Sequence, residues 1–399
     1  MTVTIKPGLA GGTVKAPPSK SQAHRLLIAG SLCKNPTIIS GVAFSKDIEA
    51  TLGGLRSLGT EISINGDEVT LKKGERPKSV RFDCLESGST LRFLLPMCLT
   101  AETDAYLYAA PRLLDRPQQI YENLCKQQGI IFEQTKEYIH LCGSLKSGNY
   151  EIPGDVSSQF VSGLLFSLPQ LSKSSTITLT TPLSSRPYVD MTLAVLNTFG
   201  ADITWQTDRQ LTVKGGAELL AGRYTVEGDY SNAAFFDAFN TVGGHVTVTG
   251  LSNDTLQGDI VYKELFSLIK AGRTTVAIDD CPDLGPILIA VMAANSGGTL
   301  TGTRRLKIKE SDRGAAMAEE LKKFGVFIEC FEDKIIVPKQ PLKRPTVFLN
   351  GHNDHRIVMA LSFLLSLTGG TIVGAEAVAK SLPDYFEKIS ALGIEVEKS

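Results

Sequence analysis

Hydrophobic and polar positions along this chain fall into a block that recurs six times. Each block opens on a polar turn and runs straight into an apolar helix: PPSKSQAHRLLIAG, ESGSTLRFLLPM, GDVSSQFVSGLLF, GDYSNAAFFDAF, CPDLGPILIAVMA and NGHNDHRIVMALSF. Stretches such as LRFLLPMCL and RIVMALSFLLSL are apolar on nearly every side of a 3.6-residue helix, which predicts buried helices. A second helix in each block, such as KDIEATLGGLRSLG or DRGAAMAEELKKFG, carries charge on one face and usually stops at a glycine. Most of these glycines (Gly59, Gly129, Gly200, Gly272, Gly325, Gly393) recur at roughly 70-residue intervals, the mark of a duplicated supersecondary unit.

Period-2 ribbons complete the block. EISINGDEVTL alternates around Asn65-Gly66, which predicts a type I′ hairpin, and IIFEQTKEYIHL, DITWQTDRQLTV and FIECFEDKIIVP are matching strand pairs. The unit therefore reads turn, buried helix, strand, amphipathic helix, strand pair, with buried helices inside and strands outside. The fourth copy is shorter: after Gly272-Arg273 only one strand, TTVAIDD, fits before Cys281. The expected fold is α/β in two similar halves of three repeats. The boundaries expected are 14–225 for one half and 1–13 plus 226–399 for the other, with ligands bound between them. The leading strand, Val3 to Ile5, can join either half.

Composition narrows the function. The 399 residues suffice for two domains with full cores. A formal net charge of −1 argues against a general nucleic-acid or membrane-surface binder, whose affinity rests on excess positive charge. MTVTIKPGLAGG has no apolar signal core and no apolar run approaches transmembrane length, so a cytoplasmic protein is expected. The seven cysteines form no C-x-x-C pair and mostly sit in apolar runs, as buried reduced thiols do. His352 and His355 share one turn without a further His/Cys cluster, so no metal site is expected.

The polar turns carry the candidate chemistry. Helix N-termini present unpaired N–H groups and partial positive charge, and therefore attract anions. Lys20, Arg25, Arg92, Arg116, Arg313, Arg356 and Lys380 lie in or beside these turns and linked loops. Arginine adds a bidentate grip on phosphate or carboxylate. Ser87-Gly88-Ser89-Thr90 and Ser157-Ser158-Gln159 open two of the helices, where serine also serves as an ordinary N-cap. Lys309, Glu310 and Arg313 surround a third helix start. Asp283, ahead of an apolar helix, suits either a plain cap or a general base within reach of a substrate hydroxyl.

PPSKSQAHR, ESGSTLR, GDVSSQF, SRPYVDMTL, KESDR, NDHR and KSLPDYF, in this order, resemble the 5-enolpyruvylshikimate-3-phosphate synthase family. The resemblance spans nearly the whole chain. It implies two inverse α/β domains, each of three βαβαββ units. It also implies transfer of the enolpyruvyl group of phosphoenolpyruvate to the 5-hydroxyl of shikimate 3-phosphate, through a tetrahedral intermediate that loses phosphate. No metal or organic cofactor is implied, nor any nucleic-acid or membrane partner. A monomer is expected, since the site needs one chain.

By the same resemblance, Lys20, Ser21 and Arg25 are first-turn ligand contacts. Ser157 and Ser158 bind the shikimate phosphate; Gln159, Ser185 and Tyr188 lie at the ring, and Lys309 and Asp283 also face this substrate. Lys20, Gly88, Arg92, Arg116, Gln159, Arg313, Arg356 and Lys380 cradle phosphoenolpyruvate. Asp283 corresponds to the group that deprotonates the 5-hydroxyl and Glu310 to the one that protonates C3, with Lys20 and Lys380 also placed to move protons. Two phosphates and two carboxylates bring roughly −5 to −6, against about +5 from the seven cations less Asp283 and Glu310.

Two positions depart from the family pattern: Glu86 and Arg305 stand where asparagine is familiar. A sister family acting on UDP-N-acetylglucosamine usually has Lys-Asn at the first turn and a reactive cysteine in a mobile loop. This chain has Lys20-Ser21 and no cysteine in PRLLDRP. A non-catalytic phosphometabolite sensor would be expected to lose Asp283, Glu310 or Lys20, and all three are present.

Overall fold

A computed structural model describes residues 1–272 and 275–399; Arg273 and Thr274, the latter opening the expected TTVAIDD strand, lie outside the described residues. The chain divides into two compact units, Pro18–Glu227 and Met1–Pro17 with Gly228–Ser399.

Pro18–Glu227 holds three four-stranded sheets built alike. In one, Ser79–Asp83 runs parallel to Thr103–Tyr108, which is followed by the antiparallel strands Tyr138–Gly143 and Ile131–Gln134. The third block repeats this with Asn149–Ile152, Ser175–Leu179, Gln210–Val213 and Ile203–Thr207. In the first block the parallel partner of Thr37–Ser40 is Arg223–Thr225, brought from the far end of the same unit. The buried helices Lys20–Ser31, Gly88–Cys98 and Ser158–Ser167 form the interior, as their all-round apolar pattern requires. The last two approach closely at Gly163, where a Cβ would strike the Arg92 carbonyl and the Tyr121 hydroxyl. Tyr121 donates from that hydroxyl to the carbonyls of Arg92 (2.8 Å) and Phe160 (3.1 Å), tying both helices to the amphipathic helix Gln119–Gln128.

In the other unit the buried helices are Tyr230–Asp237, Gly285–Ala294 and His355–Thr368. Ile287, Leu288, Ile289, Val291 and Met292 are fully buried, each contributing roughly 1.5–3 kcal/mol of transfer free energy. The fifth block repeats the sheet pattern with Thr275–Ala277, Gly298–Thr301, Lys334–Val337 and Glu329–Cys330. The sixth lacks its own last strand, and Thr2–Ile5 fills the place between Gly370–Val373 and Val396–Lys398. Among the described residues the fourth block contributes only His245–Thr249, paired in parallel with Gly11–Lys15. The repeat architecture expected from the sequence is thus present, and the leading strand joins the last repeat.

The six helix-stopping glycines all have positive φ, between 71° and 95°, a region that side chains with a Cβ rarely enter. One hairpin differs from expectation. Asn65 pairs with Glu68, so the loop residues are Gly66 and Asp67, and only Gly66 has positive φ. That is the pattern of a type II′ turn, with glycine at its first central position, in place of type I′.

Candidate functional site

Side chains and the polar turns position one another. Ser19, Ser87 and Ser157 accept from the backbone N–H of Gln22 (3.3 Å), Thr90 (3.2 Å) and Gln159 (3.3 Å), capping the buried helices of Pro18–Glu227. Gln159, just past its cap, bridges two blocks: its carbonyl accepts from Arg92 Nη1 (2.8 Å) and its amide donates to Ser89 Oγ (3.1 Å). Arg92 also donates to the Pro117 carbonyl (3.2 Å) and lies 4.9 Å from the Phe160 ring centroid. Gly88 completes the group, since a Cβ there would stand 3.1 Å from Arg116 Nη1 and 3.3 Å from Gln159 Oε1. Gly88, Arg92, Arg116 and Gln159 therefore form one basic nook at the start of Gly88–Cys98, with the buried Ser158 next in sequence to Gln159.

A second group surrounds the first turn. Lys20 Nζ donates to Asp47 Oδ2 (2.7 Å), with both side chains mostly buried. Arg25 commits three N–H groups within the unit, to Thr192 Oγ1 (2.7 Å) and to the carbonyls of Ser21 (2.7 Å) and Tyr188 (2.8 Å). Burial pushes its guanidinium down to about 10, against the pull of Tyr188. Arg25 thus clamps the first turn to the helix Arg186–Thr198. Ser185, just before that helix, is buried and has φ of 57°, a left-handed conformation that costs a non-glycine residue on the order of 1–3 kcal/mol.

In the other unit one arginine organises the chemistry. Arg313 is 1 % exposed and meets three carboxylates. It donates from Nη1 to Asp283 Oδ1 (2.8 Å), from Nη2 to Glu310 Oε2 (2.8 Å), and from Nε to Asp354 Oδ2 (2.9 Å). Asp283 also accepts from Lys309 Nζ (3.1 Å), and Arg356 Nη2 lies 3.6 Å from its other oxygen. Burial opposes ionisation of Asp283, but Lys309, Arg356 and Arg313 together hold it well below the usual carboxylate range. Burial lowers Lys309, Arg313 and Arg305 add repulsion, and the ammonium falls to about 8 despite the pull of Asp283 and Glu310. Arg313 goes the other way: burial works against its charge, but Asp354, Glu310 and Asp283 hold it firmly protonated. Arg356 donates to the Ser231 carbonyl (3.3 Å), and Lys380 to that of Asn353 (2.5 Å).

The helix behind Asp283 has no side-chain cap, so the capping alternative fails and the carboxylate faces the basic cluster. In the sequence Asp354 and Asp47 look like ordinary acids at helix starts, with no signal that marks them as partners of the basic residues. Asp354 does cap His355–Thr368, accepting from the N–H of Arg356 (2.9 Å), but its other oxygen accepts from Arg313 and from Ser311 Oγ (3.0 Å). Arg305 donates to the Asp279 carbonyl (3.4 Å). His352 and His355 separate: His355 is buried beside Asp354, whereas His352 joins Glu319 and Glu320, with the Lys323 ammonium among them. Of the cysteines, Cys330 is exposed and Cys142 partly so, contrary to a uniformly buried set. Among the described residues no helix is long and apolar enough to cross a membrane.

Known proteins resemble this chain in sequence and in fold. The family model described as EPSP synthase (3-phosphoshikimate 1-carboxyvinyltransferase) matches residues 6–389. A 3-phosphoshikimate 1-carboxyvinyltransferase from Clostridium kluyveri is 38% identical over 420 aligned positions, covering 99% of this chain and 98% of its own. One from Clostridium novyi is 36% identical, with 98% and 97% covered. Among solved structures, an EPSP synthase from Acinetobacter baumannii matches with a TM-score of 0.80 at 24% identity, covering all of both chains. The enolpyruvyl transferase NikO from Streptomyces tendae matches with a TM-score of 0.79 at 16% identity, over 99% and 98% of the two chains. These structural likenesses speak for the fold alone.

Proposed function

The chain belongs to the EPSP synthase (3-phosphoshikimate 1-carboxyvinyltransferase) family, and on that premise we propose how its residues divide the work. The protein is an enzyme that transfers the enolpyruvyl group of phosphoenolpyruvate to the 5-hydroxyl of shikimate 3-phosphate and releases phosphate. In the addition step the hydroxyl oxygen bonds to C2 of phosphoenolpyruvate, its proton goes to a base, and the C2–C3 π pair takes a proton at C3. In the elimination step a proton leaves C3, the double bond re-forms, and the C2–O bond to phosphate breaks.

Asp283 takes the hydroxyl proton and Glu310 delivers the proton to C3. The observation that carries this division is the set of cations on Asp283: Arg313 donates to both carboxylates, and Asp283 also accepts from Lys309 and lies 3.6 Å from Arg356. A base must be ionised before reaction, and the cations around Asp283 keep it so at neutral pH. Lys309, Ser157, Ser158, Gln159, Ser185 and Tyr188 meet shikimate 3-phosphate, with Lys20, Ser21 and Arg25 at the first turn. Gly88, Arg92, Arg116, Gln159, Arg313, Arg356 and Lys380 meet the carboxylate and phosphate of phosphoenolpyruvate. Lys20 and Lys380 stand beside the proton transfers. Because Arg25 has three donors committed internally, its part is chiefly to fix the first turn. Fixed cations aimed where charge develops act without reorganising, which makes preorganised electrostatics a large term in such a site.

Phosphate release from phosphoenolpyruvate by the purified protein tests the reading, with shikimate 3-phosphate and UDP-N-acetylglucosamine offered in parallel. Release with shikimate 3-phosphate alone is the expected result. Release with the nucleotide sugar alone, or with neither, overturns it.

A further inference from the structure

The turn that carries Asp354 and Arg356 has an unusual backbone, and a buried carboxylate outside the reaction holds it. His352 and Asn353 are consecutive residues with φ of 48° and 50°. Histidine and asparagine tolerate the left-handed region better than most residues with a Cβ, but two in a row require support. Asn350 supplies part of it, accepting from the His352 N–H through its own side chain (2.8 Å). The rest comes from Glu320, on the helix Arg313–Lys323, whose side chain is wholly buried. Its Oε2 accepts from the Asn350 N–H (3.0 Å), and its Oε1 lies 2.9 Å from His352 Nε2. Lys323 donates to both oxygens (2.8 and 3.0 Å), supplying the countercharge that keeps the carboxylate ionised in its buried place.

The residues downstream depend on this kink. Asn353 turns its carbonyl to Lys380, and Asp354 then caps the next helix and grips Arg313. The same helix Arg313–Lys323 therefore holds the turn at both ends, through Arg313 at its first residue and Glu320 two turns later. We infer that Glu320 is a positioning residue, which tethers the left-handed turn 350–353 through His352 and Asn350 and so sets Arg356 and Lys380 for phosphoenolpyruvate. The inference rests on the role proposed above for those two cations. Glu319, Glu320 and His352 would also suit a divalent cation, but the Lys323 ammonium already occupies the charge position between the two acids.

The test uses full-length protein and steady-state phosphate release with both substrates varied. In Glu320→Gln, KM for phosphoenolpyruvate should rise about ten-fold, the scale of one lost charge-assisted hydrogen bond, with KM for shikimate 3-phosphate within about two-fold of wild type. Because Glu320 is buried and its substitution can impair folding, His352→Asn provides a second arm. Asparagine keeps the left-handed preference but is too short to reach Glu320, so the same selective rise, about three- to five-fold, is expected in a normally folded protein. A substitution that is merely structural would lower thermal stability and leave both KM values in their wild-type ratio. That result, in a variant whose parent is active with shikimate 3-phosphate, overturns the positioning role. An inactive wild-type protein would instead overturn the reaction assigned above.

Discussion

Raising the pH should weaken shikimate 3-phosphate binding well before ordinary lysines titrate, because Lys309 loses its proton at about 8. The cause is local: burial, aided by Arg313 and Arg305, outweighs the attraction of Asp283 and Glu310. As a proposed contact of shikimate 3-phosphate, Lys309 would meet an anion that favours its charged form and raises the ammonium again. If that contact contributes about 2 kcal/mol, the complex titrates roughly 1.5 units higher than the free enzyme. KM for shikimate 3-phosphate should then be flat below about pH 7.5, climb between about 8 and 9.5, and level off some 30-fold higher. Initial rates across pH 6.5–10 at saturating phosphoenolpyruvate measure this, with Lys309→Arg as the control. Guanidinium holds its proton more tightly than ammonium, so the climb between about 8 and 9.5 should vanish in that variant. A flat profile in the parent, or an identical climb in Lys309→Arg, would refute the reasoning. The same shift affects stability with the opposite trend. The unfolded lysine binds its proton more tightly than the folded one, so stability rises with pH between about 8 and 10.4 and is penalised below that window.

Three further outcomes are expected. Asp283→Asn should keep both substrates bound but lose roughly a hundred- to ten-thousand-fold in kcat, measured by phosphate release; wild-type turnover would remove Asp283 from the base role. Asp354→Ala should destabilise the Gly228–Ser399 portion by about 3–5 kcal/mol, since it strips a buried partner from Arg313 and a helix cap together, whereas Asp354→Asn keeps the cap and should cost distinctly less. Equal denaturation midpoints for the two would count against that split. Gly163→Ala should cost about 1–3 kcal/mol in chemical denaturation, because its Cβ has no room beside the Arg92 carbonyl and Tyr121 hydroxyl; an unchanged midpoint would mean the two helices part easily.

What could be read from the sequence followed the strength of each local signal. Buried helices announce themselves through all-round apolarity, and RIVMALSFLLSL is the helix His355–Thr368 almost to the residue. Hairpin type was less legible: Asn-Gly favours type I′, but strand register moved the loop by one residue to Gly66-Asp67. The basic residues of the turns could be picked out because they recur beside serine and glycine. Their carboxylate partners could not, since Asp47 and Asp354 satisfy an ordinary helix-start pattern and only the folded packing shows what else they hold. Glu320 was quieter still, one of two adjacent acids on its helix, and only its full burial separates it from its neighbour Glu319.

The strand Thr2–Ile5 has a consequence for how the molecule is made. It lies between Gly370–Val373 and Val396–Lys398, so a strand synthesised early completes a sheet whose other members follow hundreds of residues later. Pro18–Glu227 is contiguous and can assemble while synthesis continues, but the remaining unit must wait for Val396–Lys398. Its nascent helices, among them the wholly apolar Gly285–Ala294, spend that interval without their final cover. At roughly 5–20 residues per second, the 172 residues after Glu227 keep the second half unfinished for about 9–34 seconds, the period of greatest exposure to aggregation and chaperone capture.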